Sequence, residues 1–291
     1  MPEIAQQNKA VRRPIKTFTG MTLYAIVMLH MKIAVTGKGG VGKTTLSAVL
    51  SHLFAADGKR VIAVDADPDA NLAQALGIKL SDIEHIRPIG EMSELIEERV
   101  GAKPGQPGAM FKLNPRVDDL PEDLGFRIGN ITLLIMGKSK AAASGCYCPE
   151  HVFLRRLLKH LIVERDEVVI VDMEAGIEHL TRGTAEAVDG FIVVVEPGQR
   201  SIQTATTVKE LAKGLGVKNV LVVANKVRND ADIQFLRDHL GGMDLLGAMR
   251  FSQQVMDADV KGISPFEAPD IVKDIKHVKE RLESSLTPDE V

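Results

Sequence analysis

The chain has 291 residues, of which 45% are apolar and 26% charged, and its formal net charge is −3. This length and composition allow one large α/β domain or two small ones, and we favour one. The near-neutral charge, without a long basic run, argues against nucleic acid or an anionic membrane surface as a partner.

The first thirty residues contain basic residues followed by the short apolar run 21–29, which superficially resembles a secretory signal. No small-residue cleavage site follows, and a strand-like run begins at once after Met31. We therefore interpret residues 1–30 as a disordered, expression-derived or upstream-start extension, 31–286 as the folded domain and 287–291 as a tail. A transmembrane span is not expected, because it needs about 20 apolar residues.

Strand and helix patterns alternate along the rest of the chain. Strands are predicted at 32–36, 60–65, 130–135, 167–172, 190–195, 219–224 and 244–248, and helices at 42–57, 150–163, 178–187, 201–215, 230–240 and 270–286. This alternation is typical of a doubly wound, mostly parallel α/β sheet with helices on both faces. The segment 101–125 is rich in Gly, Pro and acidic residues without a strong period, so we expect it to be mobile or an insertion serving a partner.

A phosphate-binding loop follows the first predicted strand. Residues 37–44 read G-K-G-G-V-G-K-T and match G-x-x-x-x-G-K-[ST], in which backbone N–H groups surround phosphates, Lys43 reaches the β/γ oxygens and Thr44 ligates Mg²⁺. A Gly-rich turn without a ligand is the alternative, but the strand and helix on either side favour ATP or ADP binding. The predicted nucleotide-binding residues here are Gly39, Gly40, Val41, Gly42, Lys43, Thr44 and Thr45.

Further polar residues follow other predicted strands. Since ligands of open parallel sheets bind beyond the carboxyl ends of the strands, these residues are expected to share one crevice. In D-A-D-P-D-A-N, the acidic side chains could orient a water near the γ-phosphate, although such acids also cap helices. The segment beginning at Glu196 borders the same crevice, and we assign it no role.

Two more strand ends complete the predicted nucleotide site. Asp172 ends an apolar strand where Mg²⁺ is held in P-loop enzymes, and Gly176 could offer a backbone N–H to the γ-phosphate. Asn225 and Lys226 place an amide where it could pair with adenine, although this dipeptide alone is more often part of a turn.

Together, K-G-G-V-G-K-T-T, D-A-D-P-D-A-N, D-M-E-A-G and N-K resemble the deviant Walker A ATPases, the P-loop family that includes MinD, ParA and the nitrogenase iron protein. The resemblance covers residues 31–286. It implies that Lys38, the additional lysine of the loop, reaches the nucleotide of a second copy in a homodimer. It also implies roles for Asp67 in positioning the hydrolytic water, for Thr44 and Asp172 at Mg²⁺ and for Asn225 at adenine.

The two cysteines, Cys146 and Cys148, stand one residue apart before a predicted helix. This spacing is unlike a secreted disulfide framework, so a reducing cytoplasm is expected. Thiols at a helix N-terminus are partly ionised, and thiolates suit a soft or borderline metal ion. A tetrahedral four-cysteine site needs two chains, which indicates a homodimer with a shared metal. Buried structural thiols and a redox pair remain alternatives.

The run G-C-Y-C-P-E with its leucine-rich helix is similar to the nickel-insertion accessory ATPases of carbon monoxide dehydrogenase maturation, a branch of this family. This resemblance implies a metallochaperone ATPase that binds Ni²⁺ or Zn²⁺ through Cys146 and Cys148. Its implied client is carbon monoxide dehydrogenase or acetyl-CoA synthase. No nucleic-acid partner and no stable membrane association are expected. The alternatives are a nucleotide-gated positioning protein of the MinD/ParA type and an iron–sulfur carrier or reductase of the nitrogenase iron protein type.

Overall fold

The computed structural model describes residues 31–104, 110–137, 149–174 and 182–286, and its centre is an eight-stranded sheet. The strands are β1 (Lys32–Gly37), β2 (Val61–Ala66), β3 (Phe126–Ile128), β4 (Ile131–Ile135), β5 (Val168–Met173), β6 (Gly190–Val195), β7 (Val220–Val227) and β8 (Asp244–Arg250). Their order is β3-β4-β2-β5-β1-β6-β7-β8, and only β3 is antiparallel to its neighbour. This arrangement confirms the predicted doubly wound, mostly parallel sheet in a single domain.

Helices cover both faces of the sheet. They are α1 (Lys43–Ala56), α2 (Leu72–Ala75), α3 (Leu80–Ile83), α4 (Ser93–Val100), α5 (Leu120–Leu124), α6 (Pro149–Val163), α7 (Arg182–Ala185), α8 (Gln199–Gly214), α9 (Asp230–His239), α10 (Gln253–Lys261) and α11 (Pro269–Leu286). None of the helices in these described ranges is both long and apolar enough to span a membrane.

Two apolar cores lie on opposite faces of the sheet, because the central strands are apolar on both sides. One core packs α4 and α6 to α9 against the sheet, and the other packs α1, α2 and α11. Strands β1, β5 and β6 are buried along their whole length. Such continuous burial explains why β5 and β6 are Val- and Ile-rich runs rather than alternating patterns.

All seven predicted strands are present, and the elements that sequence analysis missed are β3, α2 to α5 and α10. The predicted helix 178–187 overlaps α7, and its first residues lie outside the described ranges. The expectation of a mobile segment is wrong for the described second half of 101–125. Val117 and Leu120 are buried there, and Arg99 makes two hydrogen bonds of 2.9 and 2.8 Å to the Asp119 carboxylate. Apolar burial and this ion pair attach the segment to the core.

Candidate functional site

The predicted phosphate-binding loop connects β1 to α1 at the carboxyl edge of the sheet. It opens into a cleft of about 670 Å³ that also collects the predicted residues from other strand ends. The predicted site residues that line this cleft are Gly39, Gly40, Gly42, Lys43, Thr44, Thr45, Asp67, Asn225 and Lys226. Val41 is instead buried in the core beneath the loop. The cleft thus brings together the loop, Asp67 just after β2, and Asn225 and Lys226 within β7.

The two predicted Mg²⁺ residues lie within hydrogen-bonding distance of each other. The Thr44 hydroxyl donates to Asp172 Oδ2 at 2.7 Å, and Ser47 donates to the other carboxylate oxygen at 3.3 Å. Asp172 is fully buried, and this burial raises its pKa to about 6. A hydroxyl beside a buried carboxylate, at a loop built for phosphates, is a donor set that suits Mg²⁺.

A second buried carboxylate, Asp65, begins the D-A-D-P-D-A-N run but is not among the predicted site residues. Asp65 pairs with Asp172 in the β2–β5 register and is also fully buried. Burial, and after it the adjacent Asp172 carboxylate, raise the pKa of Asp65 to about 7. Its oxygens accept the backbone N–H groups of Asp67 at 3.3 Å and Leu72 at 2.9 Å. Asp65 therefore shapes the loop that carries Asp67.

The ammonium of Lys43 lies 3.5 Å from Asp67 Oδ2. Lys43 is buried, and Asp67 is only 16% exposed, so this ion pair is better shielded from water than a surface pair. A phosphate in the loop would compete with Asp67 for the Lys43 ammonium. The two residues predicted to act on the nucleotide are thus already in contact.

Asn225 and Lys226 hold the phosphate-binding loop from below. Asn225 Nδ2 donates to the Val41 carbonyl at 2.7 Å, and Lys226 Nζ donates to the Gly40 carbonyl at 2.9 Å. These two contacts were not predicted. They depend on the strand order β1-β6-β7, in which only β6 separates β7 from β1. The predicted pairing of Asn225 with adenine stays a prediction.

The close approach of Asn225 explains why residue 42 is glycine. Gly42 has φ +94°, and a Cβ added there would lie 2.1 Å from Asn225 Nδ2. We expect Gly42→Ala to lower the free energy of unfolding by about 2 kcal/mol or more, through backbone strain and this overlap. Urea unfolding of the nucleotide-free protein measures the change. Gly39→Ala is the matched control, because Gly39 has no positive φ and no atom within 4 Å of an added Cβ. Equal loss in both variants would contradict this explanation.

Some predicted site residues lie outside the described residues or at the edge of the cleft. Gly176, Cys146 and Cys148 lie outside the described residues. Lys38 is described, and its side chain is exposed at the tip of the loop. An exposed cation beside the phosphate cleft is available to a second molecule.

The far side of the cleft is formed by β8 and α10, which sequence analysis did not predict to contribute. Arg250, Phe251, Ser252, Val255 and Met256 line it. Phe251 and Met256 are each about half exposed, so the cleft has an apolar rim opposite its phosphate loop.

A match to a family model decides the family. Residues 32–266 match the CobQ/CobB/MinD/ParA nucleotide-binding domain, which is most of the chain. The chain belongs to this family. The match confirms the resemblance that the motifs indicate, and this family is one of nucleotide-binding P-loop proteins.

Individual relatives place the chain within this family. It is 47% identical over 247 residues to the carbon monoxide dehydrogenase accessory protein CooC of Rhodospirillum rubrum, covering 85% of this chain and 94% of that protein. It is 49% identical over 235 residues to an ATP-binding protein of Methanocaldococcus jannaschii, covering 80% and 90%. The septum site-determining protein MinD of Pyrococcus horikoshii, solved with Mg-ADP, has the same fold, with a TM-score of 0.59 at 19% identity over 89% of this chain and all of that one. The cysteine motif predicted a resemblance to the accessory ATPases of carbon monoxide dehydrogenase maturation, and the identity to CooC confirms that resemblance.

Proposed function

We propose that this protein is a homodimeric, Mg²⁺-dependent ATPase that inserts nickel into carbon monoxide dehydrogenase or acetyl-CoA synthase in the cytoplasm. The observation that carries the proposal is the 47% identity to CooC over 85% of the chain. The assembled cleft supports the ATPase part, since it joins a phosphate loop to Lys43, Asp67 and Asp172. The Cys146/Cys148 pair is the proposed holder of Ni²⁺ or Zn²⁺, shared between two chains.

In the nucleotide-binding part of this proposal, phosphate charge rearranges contacts that are already formed. The β/γ oxygens take the Lys43 ammonium, and the Asp67 carboxylate is released from its 3.5 Å ion pair. The freed carboxylate can then accept a hydrogen bond from the attacking water and orient it. Mg²⁺ supplies electrostatic stabilisation of the phosphate oxygens when bound. Thr44 and Asp172 would hold it.

In the dimer part, Lys38 of each chain contacts the nucleotide of its partner. ATP binding then tightens the dimer and hydrolysis relaxes it, so nucleotide state is transmitted to the shared cysteine site. The protein acts in this cycle as a switch as much as a catalyst.

The test is reconstitution of a purified, nickel-free client. We expect the Ni²⁺-loaded protein with MgATP to restore client activity faster than Ni²⁺ alone, and Lys43→Ala to give no such gain. Equal activation of the client with and without ATP would contradict the coupling of ATP hydrolysis to nickel insertion. ATP-dependent cosedimentation with DNA or lipid vesicles, unaffected by loss of the cysteines, would instead support a positioning protein.

A further inference from the structure

The carbonyl groups of two consecutive loop residues are held from one side by consecutive residues of β7. Asn225 holds the Val41 carbonyl and Lys226 holds the Gly40 carbonyl. In a trans peptide the C=O and N–H groups point in opposite directions, so fixing a carbonyl also fixes the direction of the following N–H. Asn225 and Lys226 therefore set the orientation of two consecutive peptides of the predicted phosphate-binding loop.

Lys226 is itself held in an uncommon backbone conformation. Its φ is +54°, and among the described residues the other non-glycine with positive φ is Ala70, in the Asp67 loop. The Lys226 N–H donates to the Asn225 side-chain oxygen at 2.7 Å. A non-glycine residue keeps such a conformation only where its surroundings hold it. This conformation directs the Lys226 side chain under the loop tip.

Glu196 supplies the second contact of the Lys226 ammonium. Glu196 Oε1 lies 2.5 Å from Lys226 Nζ, while the same nitrogen donates to the Gly40 carbonyl. The backbone of Glu196 is fixed as well, because its N–H donates to the Ser201 hydroxyl of α8 at 3.0 Å. Since the Lys226 side chain is 46% exposed, loss of this carboxylate would let the ammonium turn into water.

We infer that Glu196 is a positioning residue of the nucleotide site. It holds Lys226, which holds the Gly40 carbonyl, so the segment between β6 and α8 sets the shape of the phosphate loop. The inference rests on the proposed function, since it concerns the same ATP site.

The experiment measures the affinity for fluorescent ADP in wild type, Glu196→Gln, Lys226→Met and the double variant. We expect Glu196→Gln to weaken binding about 3- to 5-fold, in keeping with a partly exposed ion pair, and Lys226→Met about 10-fold. In the Lys226→Met background, Glu196→Gln should have no further effect, because it acts through Lys226. Raising the salt concentration from 0.05 to about 1 M should shrink the effect of Glu196→Gln.

Glu97→Gln is the matched control, since Glu97 also pairs with an exposed lysine, Lys103, at 3.8 Å and lies on α4. It should bind ADP like wild type.

Glu196→Asp keeps the negative charge but shortens the side chain, and it is the second variant if Glu196→Gln lowers the melting temperature. It should also weaken ADP binding. Failure of wild type to bind ADP would refute the proposed function. Wild-type binding together with equal or tighter binding by the Glu196 variants, or full additivity in the double variant, would overturn this inference alone.

Discussion

Replacing Lys43 by alanine should weaken ATP and ADP binding about 100-fold. The Lys43 ammonium is buried in the phosphate loop, and it is the cation nearest to the Asp67 carboxylate in the described site. Its loss removes charge-assisted hydrogen bonds to phosphate, each worth about 1.5–3 kcal/mol, and leaves Asp67 beside the incoming negative charge. Isothermal titration with MgADP measures the change.

The control for this prediction is Lys79→Ala, which removes an exposed lysine ahead of α3 and should leave ADP affinity unchanged. The melting temperature of nucleotide-free Lys43→Ala shows whether the variant is folded. A folded Lys43→Ala variant with near wild-type ADP affinity would contradict the placement of phosphate in this loop.

Replacing Lys38 by alanine should have a different effect. The Lys38 ammonium is exposed and makes no hydrogen bond or ion pair within the described part of a single chain. A single protomer therefore gives Lys38 no contact that alanine would remove. We expect Lys38→Ala to keep ADP affinity within about 3-fold. Its ATP hydrolysis rate should fall about 1,000-fold, as for loss of a cation supplied in trans to a phosphoryl transition state.

Two measurements separate this role from simple phosphate binding. Phosphate release gives the hydrolysis rate, and sedimentation with MgATP gives the oligomeric state. ATP-dependent dimerisation should be lost in Lys38→Ala and kept in an Asp67→Asn variant that binds ATP without hydrolysing it. Wild-type hydrolysis by a Lys38→Ala monomer would show that Lys38 does not act across a dimer.

The fold could be predicted where burial imposes a pattern. The central strands are continuous apolar runs, and all of them were found. Strand β3 was not predicted, because its three residues, Phe126–Ile128, are too few to show an alternation of apolar and polar side chains. Helix α10 was not predicted for another reason. Its apolar residues Met256 and Val260 are 50% and 87% exposed, so the helix has no continuous buried apolar face. The sequence does contain two signals for the ends of α10, namely Ser252 before it and Gly262, with φ +66°, after it.

The site could be predicted where one motif carries the chemistry, and not where it depends on strand order. The loop at 37–44 was found from its glycines and Lys43. The contact between Asp65 and Asp172 requires knowing that β2 lies beside β5 in this register. Likewise, Asn225 meets the loop only because β7 follows β6 in the sheet. Local sequence does not specify such neighbours.

We propose above that two chains share one metal ion through Cys146 and Cys148. The most direct test measures metal content and molar mass together after loading with Ni²⁺ or Zn²⁺, for wild type and for Cys146→Ala/Cys148→Ala. We predict one metal ion per two chains in a wild-type dimer and no bound metal in the double variant. One metal ion per monomer, or the same stoichiometry in both proteins, would contradict the shared site.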